Sequence, residues 1–97
     1  MIDHIVLFKL KPGADTTAIE NMCAALEDLK HRIPQVIEIH ARPNFSERRQ
    51  GHDIMLTSRF KNKEDLQIYA DHPEHLRVVK ELVAPIRESV IVGDIEF

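Results

Sequence analysis

The segment from Asp3 to Lys11 constrains the fold most, because it alternates like a β-strand yet is largely apolar on both faces. One face carries His4, Val6, Phe8 and Leu10, and the other carries Ile5, Leu7 and Lys9. A strand with only one buried face would be more polar on its second face. We therefore expect this strand to be covered on both sides, and Pro12-Gly13 to end it as a turn.

The rest of the chain alternates between helical and strand periods. A first helix is predicted to begin at a Thr17/Glu20 capping box and to end at Ile33-Pro34, and strands Val36–Ala41 and Ile54–Phe60 follow on either side of a polar loop from Pro43 to Asp53. Two further helices are predicted, from Asn62 to about Ala70 and from Pro73 towards Pro85, before a final strand Val90–Phe97. The buried stripe of the last helix is predicted to be Leu76, Val79, Leu82 and Val83. This β-α-β-β-α-β order predicts an α+β, ferredoxin-like protomer with a four-stranded antiparallel sheet.

Two helical regions can cover only one face of such a sheet. Ile5, Leu7 and Val36 are predicted to lie on the opposite face. An uncovered apolar face is a binding surface. Its simplest partner is a second copy, so we expect a homodimer in which the two sheets face each other.

Length and composition set further limits. Ninety-seven residues make one domain, 1–97, and the net charge of −3 with a pI near 6.0 argues against a nucleic-acid partner. No apolar run approaches the roughly 20 residues needed to span a membrane. Cys23 is the only cysteine and no signal peptide is visible, so we expect a cytoplasmic protein.

The densest group of ionisable side chains lies between Tyr69 and His75. An imidazole is a suitable general base near neutral pH, and a phenol can polarise a carbonyl. The resulting hypothesis has His75 removing an α-proton from a ketoacyl-like substrate, Tyr69 stabilising the enolate oxygen and His4 orienting the substrate. The alternative is structural: Tyr69 hydrogen-bonds to backbone, His75 satisfies a helix-start N–H, and His72 or Asp71 caps a helix.

A metal is a weaker alternative. His72-x-x-His75 with Asp71 and Glu74 offers ligand types at close spacing. Pro73 and helical geometry should point the two imidazoles apart, and no paired cysteines or His-Glu-x-x-His motif occurs. We therefore expect neither a metal nor another cofactor.

Five features are spread over nearly the whole chain: the opening strand, Asn44, Phe60, the Tyr69-to-His75 motif and Asp94. Together they resemble the stress-responsive dimeric α+β barrel (Dabb) domain family. The resemblance implies a ferredoxin-like protomer whose sheet joins a partner's to form a dimeric barrel. The family includes a plant polyketide cyclase of the olivetolic acid type, which closes a linear tetraketide thioester by an aldol-type condensation. That enzyme's active-site Tyr and His correspond to Tyr69 and His75, and a pocket histidine corresponds to His4.

The expected pocket lies between the helices and the sheet. Its predicted lining is Val6, Phe8, Met22, Cys23, Leu26 and Leu56. The first helix departs from the cyclase, which has pocket aromatics where this chain has Met22, Cys23 and Leu26. A buried small hydrophobe is the default interpretation of Cys23.

Three functions follow as hypotheses. The leading one is a small-molecule pocket protein, acting as a cofactor-free cyclase or lyase. The second is a non-catalytic stress-response dimer that binds a ligand or stabilises proteins. The third, a monooxygenase-like enzyme, rests on fold analogy. A cavity joining Tyr69, His75 and His4 favours the first.

Overall fold

The computed structural model describes residues 1–97 as a four-stranded antiparallel sheet of order β2-β3-β1-β4 with helices on one face. The elements are β1 (Ile2–Leu10), α1 (Thr16–Arg32), β2 (Glu38–Pro43), β3 (Ile54–Phe60), α2 (Lys63–Asp71), α3 (Pro73–Val78), a π-helical turn (Val79–Val83) and β4 (Arg87–Glu96). This confirms the ferredoxin-like architecture. β1 lies between β3 and β4, with His4 opposite Ser58 on one side and Asp94 on the other.

The first helix begins earlier than the capping-box pattern predicts. Asp15 is the N-cap, and its carboxylate accepts a hydrogen bond from the Ala18 N–H at 3.3 Å. The prediction that Thr17 opens the helix is therefore wrong. The end of α1 at Ile33 agrees with the prediction, and the buried residues of the helix are Met22, Leu26 and Leu29.

The second strand begins at Glu38 rather than at Val36. Val36 is still part of the turn after α1, because its N–H donates to the Ile33 carbonyl at 3.1 Å. Its side chain is buried in the core. The prediction that Val36 lies on the uncovered face is therefore wrong, because strand alternation does not extend back into a turn.

The second helical region breaks at His72, as predicted. Asn62 caps α2 by accepting from the Asp65 N–H, and the His72 backbone is extended, with φ −65° and ψ 135°. Pro73 occupies the first turn of α3, where its missing N–H is not needed. A π-helical turn then inserts an extra residue, and the Ala84 N–H donates to the Val79 carbonyl at 2.8 Å.

The π-helical turn changes which residues face the core. Val78 and Val83, five positions apart, are buried, while Leu76 is 53% exposed. The predicted buried position of Leu76 is therefore wrong, because the regular 3.6-residue period does not continue through the turn.

The two faces of the sheet differ in cover. The face under the helices carries the core, which includes Ile2, Val6, Phe8, Leu56 and Phe60. The strand register places the alternate side chains of each strand on the open face. They are Ile5 and Leu7 of β1, Met55 and Thr57 of β3, His40 of β2, and Ile91 and Ile95 of β4. None of the helices has the length and apolar character required to cross a membrane.

A candidate catalytic cavity

A cavity of about 280 Å³ lies between the helix-covered face of the sheet and the α2–α3 region. It is mostly apolar, and its lining residue Val92 on the edge strand β4 is half-exposed. The lining consists of His4, Val6, Phe8, Leu26, Leu56, Leu66, Tyr69, Ala70, His75, Val79, Val83, Arg87, Val90 and Val92. Small-molecule sites are usually concave and apolar with a few convergent polar groups, and this cavity has that character.

Tyr69 lies at the centre of an aromatic cluster. Its ring centroid is 4.4 Å from that of His75, 6.3 Å from that of His4 and 4.9 Å from that of Phe60. The side chain is only 2% exposed, and burial raises the pKa of its phenol far above the ordinary value. Its hydroxyl therefore stays protonated at neutral pH.

The Tyr69 hydroxyl has no hydrogen-bond partner within the protein. Every fully buried side-chain nitrogen or oxygen atom in the structure does have a partner. The hydroxyl is therefore in contact with the open cavity rather than sealed in the core. This contradicts the structural alternative in which Tyr69 is held by the backbone.

The α2–α3 break fixes His75. Its Nδ1 lies 3.0 Å from the Ala70 carbonyl oxygen, which can only accept, so Nδ1 carries the proton and Nε2 keeps its lone pair. Burial lowers the pKa of His75 below its ordinary value, and the nearby His4 and His72 act in the same direction. His75 is therefore a neutral imidazole at pH 7 with a free basic nitrogen.

His4 comes to the same cavity from the central strand. Its Nδ1 lies 2.5 Å from an Asp94 carboxylate oxygen on the neighbouring strand, directly opposite in register. The contact joins two neighbouring strands of the same protomer. This contact orients the imidazole of His4, whose side chain is 16% exposed.

Two residues of the predicted pocket lie elsewhere. Met22 is fully buried in the core, and Cys23 faces a separate surface depression with Glu27 and Arg42. Only the later part of α1, at Leu26, reaches the cavity. Neither Met22 nor Cys23 lines the cavity: Met22 lies one helical turn before Leu26 on the same buried stripe, and Cys23 points about 100° away from Met22. Burial raises the pKa of the Cys23 thiol, which disfavours a nucleophilic role.

His72 is a helix cap. Its Nδ1 accepts a hydrogen bond from the Glu74 N–H at 3.1 Å, in agreement with the predicted capping role. The Nδ1 atoms of His72 and His75 are thus committed to different backbone partners. No group of three or more His, Cys, Asp or Glu side chains is arranged to hold a metal ion.

Sequence patterns missed part of the lining. Leu66, Val79, Val83 and Val90 are apolar residues that periodicity assigns to a core and cannot assign to a cavity. Arg87 lies before the predicted start of the last strand, so no pattern indicated its direction. The only available signal was the proximity of an arginine to an apolar strand.

Comparisons with known proteins agree with this fold. A stress-response A/B barrel domain-containing protein of Arabidopsis thaliana is 42% identical over 95 residues, which cover 97% of this chain. The chain spans only 36% of the length of that curated relative.

Solved structures are similar over nearly the whole chain. A dimeric protein of unknown function with a ferredoxin-like fold, from Bacteroides fragilis, has a TM-score of 0.87 and 32% identity, covering 99% of this chain and 95% of its own. The hydroxynitrile lyase of Passiflora edulis has a TM-score of 0.86 at 21% identity, covering 97% and 90%, which shows a shared fold alone.

A family model connects these similarities. The model described as the Stress responsive A/B Barrel Domain matches residues 2–97. The match includes the opening strand and the Tyr69-to-His75 motif, the two segments that supply His4, Tyr69 and His75 to the cavity. The chain belongs to the stress-responsive A/B barrel domain family.

Proposed function

We propose that this protein binds a small carbonyl compound in the cavity and catalyses cofactor-free acid–base chemistry on it, as a cyclase or lyase does. One observation carries the proposal: an unpartnered Tyr69 hydroxyl and a His75 with a free Nε2 meet in one apolar cavity. A donor and a base in an apolar site are the two groups that enolisation requires.

The proposed step begins at the carbon next to the ligand's carbonyl. Nε2 of His75 takes a proton from that carbon, so a C–H bond breaks and an N–H bond forms. The electron pair moves to the carbonyl oxygen, which accepts a hydrogen bond from the Tyr69 hydroxyl. The enolate carbon then bonds to a second carbonyl carbon of the same ligand, whose C=O π bond breaks, and the resulting alkoxide takes the proton from Nε2 of His75; without this attack, His75 returns the proton to the α-carbon. Such acid–base assistance contributes about 10²- to 10⁴-fold in rate.

The two groups suit these roles electrostatically. The lowered pKa of His75 keeps Nε2 unprotonated at neutral pH, and the raised pKa of Tyr69 keeps its proton available for donation. His4, oriented by Asp94, also packs near the Tyr69 ring. In the proposal His4 positions the ligand's carbonyl against Tyr69.

Fold relatives lend limited support. The Passiflora edulis protein is a hydroxynitrile lyase, so this fold accommodates lyase chemistry in at least one other chain. The chain's own cavity, at about 280 Å³, is at the small end of ligand pockets.

Exchange of α-protons on a simple ketone tests the proposal. With 1-phenylbutan-1-one in D₂O at pH 7, ¹H NMR should show loss of the α-methylene signal faster with protein than without. His75→Ala should reduce that excess rate by at least about 100-fold. Tyr69→Phe should also reduce it, with little change in thermal stability, because its hydroxyl has no protein partner. His31→Ala, at the exposed end of α1, is the matched control and should leave the rate unchanged.

Two results would contradict the proposal. Equal exchange in wild type and His75→Ala would exclude His75 as the base. Ligand binding with no exchange in any variant would favour the second hypothesis, a non-catalytic ligand-binding protein.

We further propose that the chain forms a homodimer through its open sheet face. Ile91 and Ile95 are each more than half exposed there, and Gly93 between them has nothing within 4 Å of the position a Cβ would take. Phe45, 96% exposed, lies beside the same face. The Bacteroides fragilis relative is dimeric. A monomer at micromolar concentration in sedimentation velocity would overturn this proposal.

A cytoplasmic location is also a proposal. It rests on Cys23, a lone free thiol, which is compatible with a reducing compartment.

A further inference from the structure

Arg87 is the one cavity-lining residue that carries a fixed charge. Five of the seven arginines form salt bridges, namely Arg32, Arg42, Arg49, Arg59 and Arg77. Arg48 lies in the exposed loop between β2 and β3. Arg87 alone is half-buried, faces the cavity and has no acidic partner.

A β-bulge directs Arg87 to the cavity. Regular pairing of β1 with β4 runs to Lys9 opposite Ser89, and would next place Glu88 opposite Leu10. The register shifts there, and Arg87 lies opposite Leu10 instead. Because residues directly opposite share a face, the shift brings an arginine rather than a glutamate to the helix-covered side. Bulges beside active sites commonly redirect a side chain in this way.

The nearby carboxylates are committed elsewhere. Glu88 pairs with Lys9 at 3.4 Å, and Asp94 pairs with His4. Neither acid lines the cavity. With His75 neutral and no acid in the lining, the Arg87 guanidinium makes the cavity favourable for an anionic group of a ligand.

We propose that Arg87 binds a carboxylate of the ligand, and that the substrate class is a medium-chain oxo acid. This rests on the proposed function, which assigns the carbonyl to Tyr69 and His75. The guanidinium presents a planar fork of N–H donors that matches a carboxylate with two parallel hydrogen bonds. The apolar lining between the two ends suits a methylene chain.

The spacing along β1 sets the chain length. Leu10, opposite Arg87, lies six residues beyond His4, which corresponds to about 20 Å of strand at about 3.4 Å per residue. The side chains of Arg87 and His4 both line the cavity that lies along this part of the strand. A carboxylate and a ketone separated by several methylene groups therefore fit, whereas a short oxo acid does not reach both ends.

Binding of three probes tests the inference by calorimetry, without turnover. We expect 9-oxodecanoate to bind at least about tenfold more tightly than its methyl ester, because the ester loses a charge-assisted hydrogen bond. 4-Oxopentanoate, too short to span the cavity, should bind at least as weakly as the ester. Arg87→Gln should remove the preference for the acid over the ester, and Arg48→Gln, the matched control, should keep it.

Folding is checked separately, by thermal unfolding of Arg87→Gln. If Arg87→Gln unfolds at a clearly lower temperature than wild type, Arg87→Lys replaces it in the binding experiment. Lysine keeps the positive charge but lacks the planar fork of donors, so the preference for the acid over the ester should fall without disappearing. Equal binding of acid and ester by wild type, no binding of either at millimolar concentration, or an undiminished preference in both Arg87 variants would overturn the inference.

The two proposals fail in different ways. Tight, Arg87-dependent binding of 9-oxodecanoate without His75-dependent exchange of its α-protons would sustain carboxylate recognition and reject the acid–base function. His75-dependent exchange at equal rates for the acid and the ester, together with equal binding of both, would sustain the acid–base function and reject carboxylate recognition by Arg87.

Discussion

The two faces of the sheet are both apolar, yet they differ in shape and chemistry. The helix-covered face carries His4 and forms one wall of a cavity that Tyr69 and His75 also line. The open face is lined by Leu7, Ile91 and other apolar side chains without any cover from the protomer itself. The same alternating strands supply both surfaces.

This difference indicates separate roles for the two faces, ligand chemistry on the covered face and association on the open face. On the covered face, a helix break and a bulge bring polar groups into an apolar cavity, as ligand chemistry requires. On the open face, regular alternation presents side chains suited to a partner of the same shape. Substitutions on the covered face should therefore affect stability and chemistry, and those on the open face should affect association.

The largest expected effect is the loss of packing on the covered face. Phe60 is fully buried against Tyr69, so Phe60→Ala should lower the free energy of unfolding by about 3–5 kcal/mol. Urea unfolding measures this. Ile68→Ala, on a half-exposed position of α2, is the control and should cost less than about 1 kcal/mol. A similar cost for both variants would mean that the covered face is not the core.

A charge on the open face should break the dimer and leave the fold intact. Ile91 is 54% exposed and lies opposite Leu7, so in the proposed homodimer a Glu at this position would be a buried charge in the interface. We expect the dimer dissociation constant to rise at least about thirtyfold in sedimentation velocity. Leu76→Glu, at 53% exposure on α3, is matched in exposure and should not change it. Equal weakening by both variants would place the interface elsewhere.

The smallest effect is on the pH dependence of stability. Folding lowers the pKa of His75. At pH values between that lowered pKa and about 6.5, the imidazole of His75 therefore binds a proton more readily in the unfolded chain than in the folded protein. The contribution of neutral His75 to the free energy of unfolding is complete above pH 6.5 and is lost as the pH falls below that value. His75→Gln should therefore flatten the fall in stability between pH 7 and pH 5. His31→Gln should keep the wild-type slope, and an unchanged slope in His75→Gln would contradict the account.

Residue patterns predict the fold well and the site in part. Period-two alternation in β1 and the apolar stripe of α1 depend on local spacing, so the element order follows from them. Tyr69, His75 and His4 were predicted to lie close together, and they do. Their roles in catalysis stay a prediction.

The missed features share one physical cause. The π-helical turn that exposes Leu76 and the bulge that redirects Arg87 each shift the chain by one residue. Such shifts depend on how distant segments pack, and they leave no periodic signal in the local sequence. Val36 was misplaced for a related reason, because the turn before β2 interrupts the alternation.

The protonation state of His75 tests the central claim most directly. Long-range ¹H–¹⁵N NMR of the histidine rings between pH 5 and pH 8, with His75→Gln used for assignment, reports which nitrogen carries the proton. We predict a neutral ring at pH 7 with the proton on Nδ1, a bare Nε2, and a titration midpoint below 6.5. An imidazolium at pH 7, or a proton on Nε2, would contradict the assignment of His75 as the base.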